Sequence, residues 1–196
     1  MLSQAVDVSI DAPLLATETK IMTEEIGTIP LAEQIADRVA IHDILNLHNR
    51  GLDRRDKHTI QSVYWEDATV DYGNFKGNAH IFANLVVGAL DTVYELTRHS
   101  LSNTLIQFSG EKARCESTVE AGHLLLGAKQ ELVFHGRYLD TLAKRGTQWK
   151  IMQRQVVMDW SKRISVMDER NDDAFCDLAK GAHLDRDPLY PFLNGV

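Results

Sequence analysis

The feature that most constrains this chain is a change of period at Leu96. Before it, apolar residues recur at three- and four-residue spacing; from Leu96 to Trp160 they alternate with polar ones. The first pattern is that of helices with one buried stripe, the second that of half-buried strands. Helices gathered ahead of a long meander predict an α+β fold. Its form is a curved antiparallel sheet with the helices packed on one side, wrapped into a cone-shaped α+β barrel.

In the helical half, Ile35, Val39, Ile41, Ile44, Leu45, His48 and Leu52 predict a helix over 31–52, entered at Pro30 and ended at Gly51. A short helix over 56–64, a strand over 67–72, a turn between Gly73 and Gly77, and a helix over 78–92 follow. The last of these would bury Ile81, Leu85, Val86 and Leu90. Strands are expected over 96–108, 112–127, 131–144 and 148–160, joined by tight turns at Ser109-Gly-Glu111 and Arg145-Gly-Thr147. The second strand is the clearest: Ala113, Cys115, Ser117, Val119, Ala121, His123 and Leu125 share one face, while Arg114, Glu116, Thr118 and Glu120 share the other. The two faces of the third strand, which carries His135, Arg137 and Tyr138, do not separate by pattern.

A length of 196 residues suits one domain, and 28 acids against 21 Lys and Arg give a net charge of −7. Such a balance disfavours a phosphate backbone as partner, so no nucleic acid is expected. The acids concentrate at the ends. Residues 1–30 hold Asp7, Asp11, Glu18, Glu24 and Glu25 against Lys20 and read as an arm, either disordered or wrapped around a neighbouring subunit. The domain then spans 31–160, and 161–196 is a C-terminal extension with a helix expected over 168–180. Its Phe175, Leu178, Leu189, Tyr190 and Phe192 would cover a pocket mouth, a neighbouring subunit or the chain's own sheet. Cys115 and Cys176 form neither a disulfide framework nor a Cys-x-x-Cys pair, which suits a reducing compartment. With no secretory-type start and no long apolar run, a cytoplasmic protein without a membrane span is expected.

Several polar residues fall on apolar faces. Alternation puts His99 with Leu101, Asn103 and Leu105, facing inward, as a general base or as a satisfied core histidine. His123 is the one polar ring on its strand face, as a second functional ring or as filling beside a hairpin partner. His48 lies on the stripe of the first helix. Asp53, five residues on, sits at the helix end, where the dipole disfavours a carboxylate unless an N–H or cation is near. It is either solvated, paired with Arg54 or Arg55, or held for chemistry. Arg154 alternates with Met152, Val156, Met158 and Trp160, and wants either an anion or a carboxylate such as Asp43 or Asp53. His99, His123 and His135 allow a metal site on paper, but no ligand-spaced carboxylate or His-Glu-x-x-His joins them. Glycine-rich phosphate loops and a Gly-x-Ser-x-Gly elbow are absent from the sequence, so no nucleotide cofactor or covalent nucleophile is expected.

The stretches Ile41-His-Asp-Ile-Leu45, Arg50-Gly-Leu-Asp-Arg-Arg-Asp56, Tyr64-Trp-Glu-Asp-Ala68, Thr97-Arg-His-Ser-Leu-Ser-Asn103, Gly136-Arg-Tyr138 and Trp149-Lys-Ile-Met-Gln-Arg154 together resemble the SnoaL-like family of the nuclear transport factor 2-like superfamily. The similarity spans residues 31–160 and is greatest to the family's Asp–His lyases. It implies a cofactor-independent lyase in which Asp53 orients His99 as base, with Arg154 and His123 as further catalytic residues. It also implies substrate contacts from His48, Tyr138, Asn103 and Trp65, a small hydrophobic substrate of aromatic or polycyclic type, and no metal. His48 stands where relatives carry Lys or Tyr. Dehydration, dehydrohalogenation and retro-aldol loss of formaldehyde all fit this apparatus. An isomerase or polyketide-type cyclase, and a non-catalytic assembly module such as a ring-hydroxylating dioxygenase small subunit, are the alternatives. A homo-oligomer, trimer rather than dimer, is expected from the same resemblance.

Overall fold

A computed structural model of the chain describes residues 32–195, so the expected arm over 1–30 lies outside the described residues. The order is α1 (Ala32–Asp53), α2 (Lys57–Ser62), β1 (Tyr64–Asp71), β2 (Lys76–Asn78), α3 (Ala79–Val93), β3 (Tyr94–Ser109), β4 (Lys112–Leu125), β5 (Gln130–Arg145) and β6 (Gln148–Ser165). A 3-10 turn (Leu184–Arg186) and the short α4 (Leu189–Leu193) follow. One sheet holds the strands in the order β2-β1-β6-β5-β4-β3. It curves around the helices without closing, so the expected barrel is an open one. The antiparallel expectation also misses one pair: β1 runs parallel to β6. The whole meander lies between those two strands in the chain, which supplies the long crossover a parallel pair requires.

The core is the seam between α1, α2 and α3 and the sheet. Ile41, Leu45, Leu52, Ile60, Phe82 and Ala83 meet Ala113, Cys115, Leu142 and Ile151, all buried. Ile35 and Val39 of the predicted stripe stand 51% and 55% exposed, and α3 buries Phe82 and Ala83 in place of Ile81 and Leu85. The turn between Gly73 and Gly77 carries a strand that the sequence pattern does not show, β2, paired with the end of β1.

Gly51 does not end α1. A Cβ there would stand 2.7 Å from Ile60 Cγ1, so this glycine lets α2 approach within the helix. The stop comes at Arg55, at φ 54°: Arg55 N–H donates to Leu52 O and Asp56 N–H to Gly51 O, the paired bonds of a Schellman ending. Arg55 is fixed there by its guanidinium, which donates to Asp91 and to the carbonyl of Tyr94. Asp53 is thereby placed in the last turn of α1.

Bulges set which side chains turn inward. In β3 the register shifts between Ser102 and Leu105, at Asn103, whose φ is 48°. The extra residue gives two inward sets on one strand, His99 and Leu101 before it and Ile106 and Phe108 after it. In β6 a shift opposite Thr141/Leu142 makes Met152 the extra residue, so Arg154 follows Ile151 on the inner face. A second shift, opposite His135/Gly136, turns Trp160 to the outer face. The expected partnership of Arg154 with Trp160 therefore fails.

The segment 168–180 is a run of turns, not a helix. Asp168 accepts the Arg170 N–H, a local side-chain bond that competes with a helix at the start of the segment. Past it, the chain is strapped to the end of α1: Leu184 N–H donates to Arg54 O, Arg54 pairs with Asp187 at 3.4 Å, and Tyr190 Oη donates to Asp56 at 2.9 Å.

Candidate active site

A carboxylate at the C-terminal end of a helix faces the negative pole of the dipole and needs donors. Asp53 has three, all from β3. Thr97 Oγ1 donates to Oδ1 at 3.2 Å, the His99 backbone N–H donates to Oδ2 at 2.9 Å, and His99 Nδ1–H donates to Oδ1 at 2.6 Å. The last contact fixes the tautomer: Nδ1 holds the proton and Nε2 keeps a free lone pair. Nε2 is the basic atom of the arrangement. A hollow of about 400 Å³ borders Asp53 between the ends of β3 and β4 and Val166 and Gly181 of the C-terminal segment.

His123, from the neighbouring strand, meets the His99 ring edge to face at 5.3 Å between centroids, with Tyr94 at 4.7 Å on its other side. Its Nδ1 is buried without a hydrogen-bond partner among the described residues. Burial, and then the nearby His99, lower it to about 4. At neutral pH this ring is uncharged and can donate one N–H without carrying charge.

A second cluster lies further back along α1. His48, fully buried, faces Arg154, whose Nη1 donates to His48 Nδ1 at 2.7 Å. Arg154 Nε and Nη2 each donate to one oxygen of Asp140 at 2.7 Å, and its guanidinium lies 4.2 Å from the Tyr138 ring centroid. Burial opposes the charge on Arg154, but Asp140 more than offsets it and pushes the guanidinium further above its ordinary value. Burial and the positive Arg154 hold His48 well below the usual histidine range. Arg154 thus pairs with a strand acid, Asp140, and not with Asp43, Asp53 or another helix acid.

Six of the eight predicted residues gather in these two clusters: Asp53, His99 and His123 in one, His48, Arg154 and Tyr138 in the other. Two do not. The Asn103 side chain is exposed on its bulge. Trp65 donates its indole N–H to Ala143 O at 3.0 Å, under Arg145 and Lys150, in a separate hollow beside His58 and His80. Thr97 and Asp140 were missed. Asp140 shares a period-two set with Tyr138 and Leu142, but a regular hairpin from Arg145 would set it opposite Gln153; the bulge sets it opposite Arg154. Among the described residues no group of three or more His, Cys, Asp or Glu could hold a metal ion, and His135 stacks instead on Trp160 at 3.9 Å. No helix among them is long and apolar enough to cross a membrane.

Comparison with known proteins agrees with this frame. The profile of the SnoaL-like domain matches residues 33–155. The chain is similar to hexachlorocyclohexane dehydrochlorinase 1 of Sphingobium indicum, 25% identical over 132 residues, covering 65% of this chain and 85% of that protein. Among solved structures it resembles a provisionally named scytalone dehydratase of Novosphingobium aromaticivorans, 24% identical with a TM-score of 0.61, covering 68% of this chain and 91% of the other. It also resembles a hexachlorocyclohexane dehydrochlorinase of Novosphingobium barchaimii, 21% identical with a TM-score of 0.61, covering 69% and 94%. With residues 33–155, more than half of the chain, matched by that domain, the chain belongs to the SnoaL-like family.

Proposed function

We propose that this protein is a cofactor-independent lyase in which the Asp53–His99 pair abstracts a proton and drives elimination from a small hydrophobic substrate. The observation that carries the reading is the 2.6 Å bond from His99 Nδ1–H to Asp53, on a carboxylate held by two further donors. Asp53 fixes the base tautomer and stabilises the imidazolium that forms, and a partly dry site strengthens that pairing. His123 and the Arg154–His48 cluster supply donors toward the leaving group, and Tyr138 lines the substrate's place. Relatives named for dehydrochlorination and dehydration support elimination as the reaction class. The C-terminal strap at Arg54 and Asp56 acts as a cover beside the site. Leu105, Leu139 and Trp160, exposed on the outer sheet face, support a homo-oligomer.

The test uses three probes: hexachlorocyclohexane read by chloride release, scytalone read by loss of water, and an aryl-substituted propanediol read by formaldehyde release. The wild-type chain is expected to turn over one of them. His99→Ala should reduce that turnover about 10²–10⁴-fold with its circular dichroism unchanged. Equal turnover by folded His99→Ala removes this residue as the base. Running the reaction in D₂O separates elimination from isomerisation, since an isomerase returns solvent deuterium to carbon in an otherwise intact product.

A further inference from the structure

We propose that Asp140, acting through Arg154, is a positioning residue that fixes His48 as the Nε2–H tautomer, so that His48 serves the site as a hydrogen-bond donor and never as a base. A guanidinium N–H has no acceptor role, so its 2.7 Å approach makes His48 Nδ1 the acceptor and leaves the ring proton on Nε2. The Asn49 Oδ1 contact to the same nitrogen, at 3.3 Å, is longer and would require a proton that Arg154 displaces. Arg154 has no freedom to turn away. Two of its nitrogens are held by both oxygens of Asp140, neither side chain has any exposed surface, and Tyr138 covers the guanidinium face. Asp140 therefore aims the third nitrogen.

His48 Nε2 points toward Tyr72 Oη at 3.5 Å, at the outer limit of a hydrogen bond. The edges of Tyr64 and Tyr138 flank the ring at 5.6 and 6.1 Å between centroids. An N–H so weakly satisfied gains from a further acceptor, and the departing oxygen or halide of a substrate would supply one. This use of the donor rests on the lyase reading. In that reaction His99 Nε2 takes the proton from carbon, the C–H electron pair becomes the new double bond, and the bond to the leaving atom breaks with its own pair. The anion that departs accepts from His48 Nε2–H, whose proton stays on the ring. A histidine free to take either tautomer would instead compete with His99 for the substrate proton.

Nitrogen-15 NMR of the imidazole side chains tests the tautomer without reference to turnover. In the wild type, His48 is expected to show a bare Nδ1 and a protonated Nε2, unchanged between about pH 5 and pH 8, where an ordinary histidine titrates. Asp140→Asn is expected to release a mixture of tautomers or a titrating ring. Arg154→Lys, too short to serve Asp140 and His48 together, should do the same if Asp140→Asn fails to fold. With any probe that the wild type turns over, kcat should fall about 10–100-fold in these variants with KM nearly constant. A wild-type ring carrying Nδ1–H, a wild-type ring that titrates, or folded variants of both kinds that keep the wild-type signature would overturn the proposal. If His99→Ala leaves turnover intact while the His48 signature holds, the lyase reading fails and the Asp140–Arg154–His48 arrangement stands.

Discussion

At the end of α1 Asp53 grips a histidine whose side chain is still 7% exposed; between β5 and β6, opposite His48 of the same helix, Asp140 grips an arginine with none. Both carboxylates hold a nitrogen side chain by short bonds, and both make it present one defined atom. The consequences differ because the partners differ. A histidine gripped through Nδ1 keeps a lone pair at Nε2 and can accept a proton. An arginine cannot lose its proton, so the second grip only transmits direction, to His48. One helix thus carries a histidine held as donor and, five residues on, the carboxylate that makes another histidine a base. Environment, not residue type, separates the two histidines.

The comparison can be broken in order of expected effect. Asp53→Asn should cost about 10²–10³-fold in kcat with little change in KM, because the amide no longer stabilises the imidazolium; a loss confined to KM would make Asp53 a binding residue only. Asp140→Ala, which leaves Arg154 buried and unpaired, should lower unfolding free energy in urea by about 3–5 kcal/mol. Replacing the pair together, Asp140→Leu with Arg154→Met, should restore much of that stability and still lose the His48 tautomer. Restored stability with restored turnover would show that the pair serves packing alone.

The pH dependence of stability comes next. An unfolded histidine titrates near 6.5 and folded His123 near about 4. Between those values the unfolded chain binds more protons, so stability is fully present above pH 6.5 and falls as the pH drops toward 4. This group alone contributes up to about 3 kcal/mol to that fall, and His48, also depressed, adds in the same direction. His123→Phe should flatten the acid limb in urea titrations; an unchanged limb would show that His123 does not titrate there. Gly51→Ala, which drives a Cβ into Ile60 between His48 and Asp53, should destabilise by about 1–3 kcal/mol and disturb both clusters together. The smallest effect belongs to Asn103→Gly on the outer bulge. Turnover should stay within twofold and stability within about 0.5 kcal/mol, since glycine accepts the φ of 48°. A large loss of turnover there would bring Asn103 back into the site.

The helices and the meander were legible because each rests on a local period: Ile41, Leu45, His48 and Leu52 on one helix face, Ala113 to His123 on one strand face. The Asp53–His99 contact was legible through motifs, since both residues lie in stretches that carry the resemblance to the family. Arg154's partner was not legible. Neither the two faces of β5 nor a one-residue bulge in β6 leaves a mark in the pattern of apolar residues. Asn103 was misread for the same reason. A residue that breaks a strand's alternation cannot be told from one that continues it until the neighbouring strand is in place. The helix expected over 168–180 failed where Asp168 takes the Arg170 N–H and the backbone goes on in turns.

Sequence alone determined the long helices, the strands of the meander, the family and the presence of a helix-end carboxylate and an inward histidine, because period and local motif act over a few residues. Tertiary structure alone decided that the sheet stays open, that β1 joins β6 in parallel, and that Asp140 rather than a helix acid binds Arg154. Those outcomes depend on register between strands, and register is set by bulges and by long-range pairing energy. A single inserted residue moves every later side chain to the other face of a strand, and no local pattern records it.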